Sequence, residues 1–139
     1  MGIWRKTGMF SLAAEVRGRY VLFCPPDTDI FRSARDRGML AGGRCAGDYV
    51  PMIKQVVGVE DDLVEVGGNV KINGTDLASS EINADVAKTS RLSQPNWIRL
   101  DKGSVWLMST YTPRSFDSRY FGAISAATIE SFIEPVFTW

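Results

Sequence analysis

Lys54 stands in the middle of Val50-Pro51-Met52-Ile53-Lys54-Gln55-Val56-Val57-Gly58, a run otherwise apolar except for Gln55. In an extended strand side chains alternate, so Met52, Lys54 and Val56 share one face and the ammonium has an apolar neighbour on either side. Burial disfavours the charged form of an amine. Lowering a lysine pKa by roughly three units, about 4 kcal/mol, leaves much of it neutral near pH 7. A neutral amine can act as a base. The plainer alternative is a lysine on an edge strand that snorkels to water and blocks edge-to-edge pairing.

A second group with chemical potential is Ser115-Phe116-Asp117-Ser118-Arg119-Tyr120-Phe121-Gly122. Ser115, Asp117 and Arg119 fall at i, i+2 and i+4, and so line one side of an extended chain. Asp117 and Arg119 are suited to a charge-assisted pair that fixes the segment, leaving the Ser115 hydroxyl for another contact. The alternative is a polar turn with a surface ion pair worth under about 1 kcal/mol.

The rest of the composition narrows the chemistry. The chain has 139 residues, 16 basic and 16 acidic, and no histidine. Without imidazole there is no Ser-His-Asp or Cys-His hydrolase and no histidine metal ligand. Acid-base work near neutrality then falls to a carboxylate, lysine, tyrosine or cysteine. Balanced charge argues against a nucleic-acid partner, which calls for a surplus of lysine and arginine on one face. Two cysteines are too few for an all-thiolate zinc site, and no metal or cofactor is expected. A Cys24–Cys45 bridge would remove roughly 3 kcal/mol of unfolded-chain entropy. The residues themselves leave that bridge and a pair of buried thiols equally open. No stretch approaches the roughly 18 apolar residues of a membrane span, so the chain as it stands reads as one soluble domain over residues 1–139.

The elements that must hold Lys54 and the 115–122 segment follow from pattern and punctuation. Arg17 to Phe23 reads as a strand stopped by Cys24-Pro25-Pro26. Asp27, Thr28 and Asp29 precede a short helix over Ile30 to Arg37, with Gly38 beyond its end. Gly42 to Asp48 reads as loop, and the apolar run Tyr49 to Val59 follows it. Val64-Glu65-Val66 and Val70-Lys71-Ile72 form a hairpin across Gly67-Gly68-Asn69, and Asn73-Gly74 marks another two-residue turn. Residues 75–96 read as a polar surface excursion. Trp97 to Met108 reads as two strands broken at Asp101-Lys102-Gly103. A short helix around Ala126 to Phe132 precedes a last strand, Ile133 to Trp139. The sum is a mainly β, mostly antiparallel domain with one or two short helices.

Taken together, these stretches resemble the type I signal peptidase superfamily, and in particular its conjugative-transfer branch. Arg17 to Phe23 is similar to the strand after the family's nucleophile region. Tyr49 to Gly58 resembles its lysine box, and Ser115 to Gly122 its Ser-x-Asp-Ser-Arg-aromatic-aromatic-Gly box. Leu22 to Pro26, Ala41 to Cys45 and Pro135 to Trp139 resemble the conjugative branch. The likeness covers nearly the whole chain.

The resemblance implies a coiled antiparallel β domain of the signal peptidase type and a serine-lysine dyad. A serine attacks the peptide carbonyl, neutral Lys54 takes its proton and returns one to the leaving amine, and an acyl-enzyme stands between the two steps. By the same likeness Ser115 hydrogen-bonds and orients the Lys54 amine, and Asp117 and Arg119 form a supporting ion pair. Met52 and Ile53 lie on the strand that an extended substrate joins by β-augmentation. The implied substrate is a conjugative pilin precursor or another exported peptide at the periplasmic face of a bacterial inner membrane, to which the full-length protein is anchored. Transfer of the acyl group to water cleaves the precursor, and transfer to an amine joins its ends. An oxidising compartment also favours the Cys24–Cys45 disulfide.

The chain departs from the family pattern in two places. The family nucleophile lies in a Ser-x-Pro-x-Gly motif. Gly2-Ile3-Trp4 resembles the end of that motif, which puts the serine before Met1 and makes these 139 residues a domain without its own nucleophile. Ser11 lacks the proline and lies on the wrong side of Gly2. Met108-Ser109-Thr110 replaces the glycine-acid start usual before the Ser-x-Asp box. Two other readings fit parts of the pattern: a self-cleaving repressor-type protease with the same dyad, and a non-catalytic β module of a conjugation or secretion apparatus that binds a peptide edge to edge.

Overall fold

The structure, a computed structural model, describes residues 2–7, 16–83, 86, 97–109 and 115–138. The strands are β1 (Gly2–Thr7), β2 (Tyr20–Phe23), β3 (Met52–Gly58), β4 (Leu63–Val66), β5 (Val70–Ile72), β6 (Thr75–Asp76), β7 (Trp97–Arg99), β8 (Ser104–Met108), β9 (Ile124–Ser125) and β10 (Ile129–Thr138). Among the described residues the named helices are α1 (Asp29–Asp36) and a single turn, α2 (Ser118–Phe121), and a 3-10 turn spans Ala126–Thr128. One six-stranded sheet runs β1-β10-β2-β3-β8-β9 and a four-stranded sheet runs β6-β5-β4-β7. Every strand pairing among the described residues is antiparallel.

Strand β8 joins the two sheets into one fold because its alternation serves two cores. Val105 and Leu107 point into the larger core with Val21, Phe23, Phe31, Val56 and Phe121. Trp106 and Met108 point the other way, into a smaller core with Val64, Val70 and Leu100. A strand apolar on both faces is buried on both faces. Gly58 permits the close approach of β3 to β8. A Cβ there would sit 3.0 Å from both Trp106 Cβ and Leu100 Cδ1, and the register shifts between Val56 and Gly58.

Several elements form where local chemistry calls for them. Asn73 and Gly74 both adopt positive φ, 51° and 84°, in the two-residue connection between Ile72 and its partner Thr75, as a primed hairpin turn requires. Helix α1 buries Phe31 and Ala34, one turn apart, and Gly38 follows it at φ 79°.

Other elements differ from the sequence reading. The helix expected over Ala126 to Phe132 is only the Ala126–Thr128 turn, and β10 begins at Ile129. The two alanines, good helix formers, stay in that turn, while the residues from Ile129 on are drawn into the sheet by pairing with β2 and then β1. The excursion at 75–96 opens with a strand, and Ser80 within it is fully buried, its Oγ 2.9 Å from Val70 N. Strand β1 pairs with β10 from Gly2↔Thr138 to Thr7↔Phe132. Ser11 lies outside the described residues, as does Trp139.

Candidate active site

Lys54 comes to its position through strand alternation. It faces the larger core beside Met52 and Val56, opposite Val21 of β2, and is only 7% exposed. That burial pushes its amine below the ordinary lysine value of 10.5, Asp117 pulls it back up and Arg119 pushes it further down. The amine is held by a hydroxyl, with Nζ donating to Ser109 Oγ at 3.2 Å.

This differs from the sequence reading, which gave that hydrogen bond to Ser115. Ser115 is half-buried, and among the described residues no hydrogen bond joins it to Lys54. The reason is register. Gln55 pairs with Met108, so one step further along the ladder Lys54 lies across from Ser109. Ser109 alternates with Met108 and therefore shares the Lys54 face.

The 115–122 segment is not extended, as its i, i+2, i+4 spacing suggested. Asp117 caps the single turn α2, accepting from Arg119 N at 3.1 Å, an arrangement that Asp favours at a helix start. Gly122 ends the turn at φ 82°. This curl brings Arg119 back onto its cap: Nε reaches Oδ1 at 2.9 Å and Nη2 reaches Oδ2 at 2.7 Å. Both side chains are fully buried. Ser118 docks the turn on the end of β8 by accepting from Leu107 N at 2.9 Å.

The pair also grips the peptide of Ser109 from both ends. Ser109 N donates to Asp117 Oδ2 at 3.1 Å, and Ser109 O accepts from Arg119 Nη2 at 3.3 Å. Arg119 Nη1 donates to Glu81 O at 2.9 Å, and Tyr120 Oη accepts from Asn83 N at 2.9 Å. Residues 81–83 thus cover the ion pair from outside. A run of polar residues gave no sign of that role, because the contacts use main-chain atoms.

Met52 and Ile53 occupy the half of β3 that β8 leaves unpaired among the described residues, since the β3–β8 pairing there starts at Gln55. Val56 N donates to Arg19 O toward β2. Antiparallel alternation then turns the main-chain groups of Ile53 to the opposite edge. Met52 is half-buried against the core, and Ile53 is 46% exposed. Cys24, just past β2, is disulfide-bonded to Cys45, with Cα atoms 5.6 Å apart. Arg44 adds a bidentate pair with Glu130, Nη1 to Oε2 at 2.8 Å. Together these pin the 41–50 loop beside the Met52 end of β3.

Comparisons with known proteins place this geometry in a family. The family model described as signal peptidase, peptidase S26, matches residues 9–138. A plasmid transfer protein TraF of Escherichia coli is 42% identical over 132 residues, covering 93% of this chain and 74% of the relative. A conjugal transfer protein TraF of Agrobacterium tumefaciens (strain 15955) is 32% identical and covers 100% of this chain and 77% of its own length. A solved signal peptidase I from Enterococcus faecalis V583 overlays loosely, with TM-score 0.45 and 20% identity over 83% of this chain and 92% of that one. Among the described residues no helix is long and apolar enough to cross a membrane. A buried lysine and a capped Asp–Arg pair lie within the matched span of a chain that belongs to the peptidase S26 signal peptidase family, together with the TraF conjugal transfer proteins.

Proposed function

We propose that this chain is the peptidase domain of a serine-lysine protease that matures a conjugative pilin precursor at the periplasmic face of the inner membrane. One observation carries the reading: Lys54 is almost wholly buried, its amine shifted toward the neutral form, beside a partly exposed strand edge. An amine kept neutral can take a proton from a serine hydroxyl, and a hydrolase without histidine needs such a base. The nucleophile in this reading is a serine whose hydroxyl gives its proton to the Lys54 amine. The precursor lies extended along the Met52-Ile53 half of β3, where Ile53 supplies the main-chain donor and acceptor of an added strand. The relatives are plasmid and conjugal transfer proteins, and in this reading the exported substrate is a pilin precursor.

The test is Lys54→Ala in the full-length protein in mating cells. The reading expects unprocessed pilin precursor to accumulate and plasmid transfer to be lost. Normal processing would contradict it and leave a peptide-binding module in its place.

A further inference from the structure

The geometry points to Ser109 as the positioning residue of the base, a role that rests on the reading of Lys54 as general base. A lysine side chain has four rotatable bonds and its amine no preferred direction. To work as a base, its lone pair must be aimed at the hydroxyl it deprotonates. Nζ donates to Ser109 Oγ at 3.2 Å. Spending one N–H on that oxygen turns the lone pair elsewhere and leaves it open to take a proton. After proton transfer the ammonium keeps the same acceptor, so the contact survives the step that it prepares.

Ser109 is well suited to this because its own peptide cannot swing. Its N–H is held by Asp117 and its carbonyl by Arg119, and the two side chains are fully buried against each other. With both main-chain groups fixed, the direction of Cβ is fixed, and Oγ follows from one torsion. The buried ion pair therefore acts on the amine through Ser109. The sequence reading gave the orienting role to Ser115, and the two serines make different predictions.

The experiment uses the full-length protein with purified pilin precursor as the probe, comparing S109A, S109T and K54A by steady-state kinetics and thermal melting. Loss of the orienting hydroxyl is expected to lower kcat about 10- to 100-fold, with KM within about twofold and a melting curve close to that of the unsubstituted protein. S109T, which keeps the hydroxyl, is expected to restore kcat to within about threefold. Unchanged kcat in S109A, while K54A is inactive, would overturn the assignment and leave the Lys54 reading standing. S109T failing along with S109A would mark a purely structural residue. S109A falling as far as K54A would make Ser109 a nucleophile and not a positioning group. Wild-type rates in K54A would sink the reading of the base itself.

Discussion

Asp117 and Arg119 form an ion pair from which water is shut out on both sides, with Nη2 and Oδ2 2.7 Å apart and neither side chain exposed. The carboxylate accepts from Arg119 N, Nε and Nη2 and from Ser109 N. Charges taken this far from water are tolerable only when so fully partnered.

Removing one member should therefore be costly. Asp117→Ala leaves a buried guanidinium uncompensated and is expected to destabilise the fold by about 3–5 kcal/mol. Urea unfolding of the two chains measures this. A loss below about 1 kcal/mol, typical of an exposed pair, would show that water reaches the site.

Lys54 should penalise stability in a pH-dependent way. Its amine titrates below 10.5 in the fold. Between that lowered value and the ordinary one, the unfolded chain binds more protons, so stability rises with pH. Lys54→Met removes this penalty. It is expected to raise the urea midpoint most at the acid end of the range, and the gain should shrink as pH climbs toward 10.5. A gain that does not change with pH would mean that the amine is solvated.

The Cys24–Cys45 bridge spans a 21-residue separation. Replacing both cysteines by serine is expected to cost about 3 kcal/mol, mostly through the unfolded chain. Denaturant melts in the absence of reductant check this, and adding reductant to the unsubstituted chain should reproduce the loss.

Ile53 should matter to substrate more than to the fold. It is 46% exposed, so Ile53→Thr, which keeps β-branching, is expected to change stability by about 0.5 kcal/mol or less. In precursor cleavage by the full-length protein KM should rise. An unchanged KM would place the substrate elsewhere.

What could be read from sequence was local. The burial of Lys54 follows from the alternation of Met52, Lys54 and Val56, and the Asn73-Gly74 turn from two residues that tolerate positive φ. The partnership of Asp117 and Arg119 was legible as a pair of opposite charges two residues apart. Its shape was not, because a four-residue helical turn leaves no period to detect. Ser109 was hidden for another reason. It meets Lys54 across 55 positions of sequence, and only the Gln55↔Met108 register shows which hydroxyl lies opposite. Glu81 and Asn83 contribute main-chain atoms, which side-chain types do not reveal.

The most direct test of a neutral lysine base is the pH dependence of kcat/KM for precursor cleavage by the full-length protein, set beside Lys54→Arg, whose guanidinium stays protonated. The account predicts that activity rises with pH through an apparent pKa below 10.5, and that the arginine variant is inactive at every pH. An arginine variant that cleaves with the same pH profile would contradict it.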